Sequence, residues 1–290
     1  MTANPQKPAA LAVAREVVEG LGGRAEVVLA EETRAALGLA LPSGPIGSIR
    51  ADLLVAVGGD GTFLSALQQT TIPILPLNAG TVGFLSEVDT RQPGALSTAL
   101  DRLVRGAYHV EERMRLASVA GGNQLPDATN EVVVHTSQVA KMRLFEIAID
   151  GDPVGRVRAD GIILATPTGS TSYALSALGP VIDPGVETIV VTALAPFQAT
   201  QRAVLLDPLR TVSVRLVLPE KGGVVVVDGQ SEHPLAGGES VLAYRSPRKA
   251  SFIRFGAGYF QRLKGRQILP WGADAGDGGL GDHADFPATP

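Results

Sequence analysis

Residues 52–57 read Asp-Leu-Leu-Val-Ala-Val and run straight into Gly58-Gly59-Asp60-Gly61-Thr62. An aliphatic run of that length, stopped by glycine, has no polar face to show to water. It suits a strand buried on both sides, as in the middle of a parallel sheet. Parallel neighbours need a crossover, and the next segments supply one: 63–69 suits a helix, and 73–77 (Pro-Ile-Leu-Pro-Leu) is a second buried run. Upstream, Ala10, Leu11, Ala14, Val17, Val18 and Leu21 share one face of a helix over 8–21 that Gly22-Gly23 ends. The pattern further predicts a strand over 25–29, short helices over 31–37 and 92–105, and a loop over 41–48, where two Pro, two Gly and two Ser gather. Only residues 1–4 precede Pro5, so the first strand of the sheet is either very short or begins upstream.

Past residue 105 the pattern changes. Runs at 116–120, 131–135, 144–150, 161–165, 189–194, 212–218, 224–227 and 240–243 all read as strands. Val212-Ser213-Val214-Arg215-Leu216 alternates as a half-buried antiparallel strand does. The fold class is therefore α/β plus β: a parallel α/β domain, then a β-rich, sandwich-like one. The tail 271–290, rich in Gly, Asp, Ala and Pro, is expected to be disordered.

Composition narrows the function classes. The 290 residues are 45% hydrophobic but only 4% aromatic, so the cores must be aliphatic. A net charge of −4 with no basic run argues against a nucleic-acid partner. The lack of cysteine excludes disulfides, thiolate metal sites and a Cys nucleophile, and the four His show no ligand spacing. Charges or Pro interrupt every apolar run before the ~18–20 residues a membrane span needs. A cytoplasmic protein is expected.

The glycine turn carries the first chemistry. Gly58, Gly59, Gly61 and Thr62 can bring free amides and a helix N-terminus to a phosphate at the carboxyl edge of the sheet. Asp60 has two readings. It caps the following helix, or it takes a proton from an attacking hydroxyl or positions a magnesium ion. The turn alone leaves both open. A second glycine-rich loop, Asn78-Ala79-Gly80-Thr81-Val82-Gly83-Phe84-Leu85, follows the next buried strand, so both loops should share one edge.

In the β-rich part, Arg158 and Asp160 lead through a strand to Thr166-Pro167-Thr168-Gly169-Ser170-Thr171-Ser172-Tyr173. Hydroxyls and amides concentrated at one helix start suit ribose, amide or phosphate recognition; the plainer reading is a Ser/Thr-rich cap. Asn130 and Glu131 open an apolar run and can bind ribose hydroxyls and a base edge. Lys141 and Arg143 suit a solvated strand face. Asp228-Gly229-Gln230 reads as a hairpin turn.

Together these segments resemble the NAD kinase family. The resemblance spans residues 3–270. It is carried by Asn4-Pro5-Gln6-Lys7-Pro8, the 58–62 turn, the 78–85 loop, Asn130-Glu131-Val132-Val133, Asp160-Gly161 and the 166–173 segment. The turn alone is shared with diacylglycerol, sphingosine and 6-phosphofructo-kinases; the combination is specific.

The resemblance implies a Rossmann-like domain over 1–105, joined by a returning segment 250–270, and a β-rich NAD-binding domain over 106–249. It implies a homodimer or homotetramer, a divalent cation such as Mg2+, and transfer of a phosphoryl group from ATP or polyphosphate to the 2′-hydroxyl of the adenosine ribose of NAD, giving NADP. Asp60 matches the proton acceptor. Asp60, Gly61, Asn130, Glu131, Asp160, Thr171, Ser172, Tyr173, Ala174, Leu175, Ser176 and Gln230 match NAD-contacting positions, and Lys141 and Arg158 fall at further ones. Ser65 departs from the family's frequent Arg, Ser172 from a frequent Ala, and Leu178 from the first Gly of Gly-Gly-Pro. The rival readings are a lipid or sugar kinase sharing the turn and an NAD(H)-sensing module without turnover. The first gives no reason for the hydroxyl-rich segment, and the second gives none for Asp60.

Overall fold

A computed structural model describes residues 1–80, 83–198, 200–256 and 258–264. The first strand is present and two residues long, β1 (Thr2–Ala3). There follow α1 (Pro8–Leu21), β2 (Leu29–Ala30), α2 (Glu31–Leu37) and β3 (Ser43–Gly44). Then come β4 (Leu54–Gly58), α3 (Asp60–Gln69), β5 (Ile74–Asn78), β6 (Val88–Asp89) and α4 (Ala95–Val104). The strand expected over 25–29 is a correction. Only Leu29 and Ala30 are buried and paired there, because their partner β3 is itself two residues long.

The β-rich part runs β7 (His109–Arg113), β8 (Leu116–Ala120), β9 (Asn123–Gln124), β10 (Glu131–Thr136), β11 (Arg143–Ile149), β12 (Asp152–Ala159) and β13 (Gly161–Ala165). It continues with α5 (Tyr173–Ser176), β14 (Ile189–Leu194), β15 (Val204–Leu206) and β16 (Val212–Leu216). It ends with β17 (Gly223–Val227), β18 (Ser231–Leu235), β19 (Ser240–Arg245) and β20 (Ala250–Arg254).

The first sheet has the order β1-β4-β5-β20-β7, with β6 added to β5. All pairs are parallel except β20 with β7. Every residue of β4 and β5 is buried, as a doubly covered strand requires. Leu54, Ala56, Ile74 and Phe252 meet Phe63, Leu64 and Leu67 of α3 on one face. Val55, Val57, Leu75, Leu77 and Ile253 meet Ala14, Val17 and Leu21 of α1 and Leu96, Leu100 and Leu103 of α4 on the other. The chain does return to this sheet, through β20. One boundary needs correcting: β7, assigned by the sequence pattern to 106–249, hydrogen-bonds to β20 in the first sheet.

Two six-stranded antiparallel sheets make the sandwich, ordered β15-β14-β13-β10-β17-β18 and β12-β11-β16-β19-β8-β9. Val132, Val134, Ile162, Leu164, Val225 and Val227 of the first face Phe145, Val212, Val214, Leu216 and Val241 of the second in a shared core. On the outer side of the first, Val133, Ile163, Ala165 and Val190 pack against Ala174 and Ile182, which seats α5 over β10 and β13.

The helix α6 (Tyr259–Lys264) lies in a separate unit, and the expected tail 271–290 falls outside the described residues. No described helix is long and apolar enough to cross a membrane.

Candidate active site

Helix α3 begins at Asp60, with Gly59 in the cap position and no side chain capping it. The Asp60 carboxylate instead accepts the N–H of Phe84 at 2.6 Å and of Leu85 at 3.2 Å. Of the two readings left open by the sequence, the helix cap is the one this geometry rejects. The 83–85 segment passes so close that a Cβ on Gly83 would lie 1.9 Å from Asp60 Oδ1. Arg254 of β20 pins the same segment, donating to Leu85 O at 3.0 Å. Asn78, at the end of β5, pairs with Gly58 across the ladder and donates to Gly80 O. The two glycine loops thus share one sheet edge, as expected, although Thr81 and Val82 lie outside the described residues. Gly58 closes β4, while Gly61 and Thr62 occupy the first turn of α3, where the Thr62 amide already donates to Gly59 O at 2.9 Å.

Asn130 and Glu131 stand at the start of β10. What fixes them is Asp228, in the turn between β17 and β18. Asp228 and Gly229 both have left-handed backbones (φ 52 and 64) in the expected hairpin turn, whose three residues 228–230 separate the paired Val227 and Ser231. The Asp228 carboxylate then accepts three consecutive amides, from Thr129 at 2.8 Å, Asn130 at 2.7 Å and Glu131 at 3.0 Å. Burial pushes its carboxyl up to about 6, although those amides and Arg115 pull the other way. Burial first, and then the Asp228 charge, push Glu131 up to about 8 against the opposing pull of Ser172 and the Tyr173 amide. Glu131 Oε1 accepts the Ser172 hydroxyl at 3.2 Å. Glu131 Oε2 and Asn130 Oδ1 are buried with no hydrogen-bond partner among the described residues. Such atoms are free to bond to water or to a ligand's polar groups.

The hydroxyl-rich segment differs from expectation. Thr166 donates to Thr129 O at 2.6 Å, Ser170 to Pro167 O at 2.6 Å and Thr171 to Thr168 O at 3.2 Å. These buried hydroxyls hold the segment together rather than face a ligand. Ser172 reaches Glu131, Tyr173 is 39% exposed within the influence of Asp160 and Glu131, Ala174 is core, Leu175 is half-buried and Ser176 exposed. A Cβ on Gly169 would fall 2.1 Å from Asn130 O, so this segment and the strand start are in close contact.

The hairpin turn joins the two regions. Gln68 of α3 donates to Val227 O at 3.4 Å, and Gln230 Nε2 would stand 3.5 Å from a Cβ on Gly61. Asp60, Gly61, Gln230, Asn130, Glu131, Ser172, Tyr173 and Asp160 are thereby linked. Two expected residues are not. Lys141 is exposed in the loop between β10 and β11, and Arg158 of β12 stacks its guanidinium 5.3 Å over the Phe197 ring. Arg143, read as a solvated strand residue, is buried and donates to Gly222 O and Lys141 O. The residue whose role the sequence hid is Asp228, which in one dimension is only a turn former. Among the described residues no group of three or more His, Cys, Asp or Glu could hold a metal.

Comparison with known proteins identifies the family. Residues 48–108 match the ATP-NAD kinase N-terminal domain and 129–255 the ATP-NAD kinase C-terminal domain. An NAD kinase of Methanothermobacter thermautotrophicus is 40% identical over 233 residues, covering 79% of this chain and 81% of that protein. One of Methanopyrus kandleri is 44% identical over 223 residues, covering 76% and 78%. Yeast NADH kinase, solved with NADH, superposes with a TM-score of 0.82 over 95% of this chain and 87% of its own, at 23% identity, which bears on the fold alone. An NAD kinase from Archaeoglobus fulgidus, solved with ATP, gives 0.69 over 88% and 94% at 27% identity. By sequence relatives, domain matches and fold alike, the chain belongs to the NAD kinase family.

Proposed function

We propose that the chain transfers the terminal phosphoryl group of ATP to the 2′-hydroxyl of the adenosine ribose of NAD, giving NADP and ADP, with Asp60 as the proton acceptor. One observation carries the reading: the Asp60 carboxylate does not cap its helix but is held by the Phe84 and Leu85 amides at the edge where the glycine turn lies. In this proposal the ribose oxygen attacks the γ-phosphorus as its proton passes to Asp60. The bond to the bridging oxygen breaks, and ADP leaves.

Gly58, Gly59, Gly61 and Thr62 cradle the phosphates at the N-terminus of α3. Asn130 Oδ1 takes a hydrogen bond from the adenosine end and the protonated Glu131 carboxyl gives one to it from Oε2, which would satisfy two orphaned atoms. Asp160, Ser172, Tyr173, Leu175, Ser176 and Gln230 line the dinucleotide, and the buried Thr171 and Ala174 hold that segment in place. The donor set fits a divalent cation only in a limited way: Asp60 is the single carboxylate of the turn, and nucleotide phosphates and water would supply the remaining ligands, as Mg2+ accepts. When bound, the ion neutralises phosphate charge. The A. fulgidus relative solved with ATP supports ATP as donor, with polyphosphate the alternative. A cytoplasmic homodimer or homotetramer belongs to the same proposal.

The test is NADP formation by wild type and Asp60→Asn, with ATP, with polyphosphate and with neither. Diacylglycerol and fructose 6-phosphate serve as alternative acceptors. Asp60→Asn should lose turnover by about 10²–10⁴-fold, as removal of a general base does. A near-normal kcat, or preferred phosphorylation of either alternative acceptor, would overturn the reading.

A further inference from the structure

We infer that Asp228 is the positioning residue that gives Asn130 and Glu131 their hold on the dinucleotide. The proposal rests on the reading of Asn130 and Glu131 as adenosine contacts. Such a turn needs only the left-handed backbone of Asp228 and Gly229, so the hairpin makes no use of the Asp228 carboxylate. That carboxylate is spent entirely on the amides of Thr129, Asn130 and Glu131, which lie 97 to 99 positions away in the chain.

Three successive N–H groups converging on one anion fix the path of the backbone just where Asn130 Oδ1 and Glu131 Oε2 are left without protein partners. Behind the anion stands Arg115, 2% exposed, which donates to Asp127 O at 2.7 Å. Asp127 in turn accepts Ser246 at 2.6 Å and Arg248 at 2.8 Å. A buried, counter-charged carboxylate is thus maintained at a place where the turn itself does not require one. Asp228 touches no substrate in this account; it acts through the strand start it holds.

Asp228→Asn separates the clamp from the turn, because Asn adopts left-handed backbone as readily as Asp. Its amide keeps one acceptor oxygen and sets an NH2 against an N–H. The measurements are the Kd and KM for NAD, the KM for ATP and kcat, with circular dichroism confirming the fold. Asn130→Ala is measured beside it as a check on the adenosine reading. NAD binding by Asp228→Asn should weaken about tenfold, with kcat and the KM for ATP within about threefold of wild type.

If Asn130→Ala weakens NAD binding and Asp228→Asn does not, the clamp is overturned while the adenosine reading stands. If Asn130→Ala leaves NAD binding unchanged, the adenosine reading fails and takes the clamp with it. A parallel loss of kcat, NAD affinity and ATP affinity in Asp228→Asn would indicate general damage and also overturn the proposal.

Should Asp228→Asn not fold, the wild-type protein provides the second measurement. The charged groups facing Asp228 are Arg115 and Glu131; between pH 6.5 and 5.0, well below the value of about 8 to which Glu131 is pushed, Glu131 stays protonated and Arg115 charged while Asp228, near 6, takes up its proton. The Kd for NAD should therefore rise about threefold or more over that interval, and a flat profile would overturn the proposal.

Discussion

Asp60, in the first sheet, and Asn130 with Glu131, in the sandwich, are fixed by opposite means. Asp60 is a carboxylate held by main-chain amides from a neighbouring loop, and what lets the loop come near is the lack of a side chain at Gly83. Asn130 and Glu131 are main chain held by a carboxylate from a distant hairpin. The first arrangement places a single carboxylate at a half-exposed edge. The second buries two carboxylates side by side, and burial raises both. The glycine-built half should therefore be sensitive to added volume, and the carboxylate-built half to pH.

The largest effect expected from that contrast is at Gly83. A methyl group there would overlap the Asp60 carboxylate, which must then move. Gly83→Ala should lower kcat by about 10²-fold, the scale of an ångström-sized misplacement, with NAD affinity kept. Steady-state kinetics beside calorimetric binding would check it, and loss of NAD binding instead would blur the division between the two halves.

A smaller effect is expected in stability. Glu131 titrates near 8 in the fold against an ordinary value of 4.5. The folded state therefore keeps a proton that the unfolded chain releases above 4.5. Stability is greatest below that pH and is lost as pH rises through about 8. Asp228, the Ser172 hydroxyl and the Tyr173 amide are the groups facing it. Glu131→Gln carries no such proton, so its Tm should exceed that of wild type at pH 8.5 and converge toward it near pH 4.5. A gap independent of pH would place an ionised Glu131 in the fold.

The smallest effect is at Leu178, which is 93% exposed with φ 62 where the family's pattern has glycine. Leu178→Gly should gain about 1 kcal/mol by relieving the left-handed strain, with kinetic constants unchanged. Thermal unfolding would measure it.

Much of the first half is written in short-range pattern. The runs at β4 and β5, the stripes of α1 and α4 and the glycine turn each declare their environment within a dozen residues. The rest is not local. β12 reads Asp-Pro-Val-Gly-Arg-Val-Arg-Ala and is exposed almost throughout, so no apolar alternation marks it as a strand. β7 is an edge strand made largely of charged residues, and its sheet is decided by pairing with β20 far along the chain. The hydroxyl density over 166–172 is visible in sequence, but whether Thr166 or Ser170 faces a ligand or its own backbone depends on the carbonyls that folding brings near. Asp228 is the extreme case: the turn is legible, and the reach of its side chain across about a third of the chain is not.

The division of labour between the halves comes down to one variant. Calorimetric titration of NAD into Asp60→Asn, beside single-turnover NADP formation by the same protein, separates chemistry from binding. We predict a Kd for NAD within about threefold of wild type together with a loss of turnover of at least about 10²-fold. Retained turnover, or NAD binding lost in step with it, would contradict the assignment of Asp60 to the proton and of Asn130 and Glu131 to the dinucleotide.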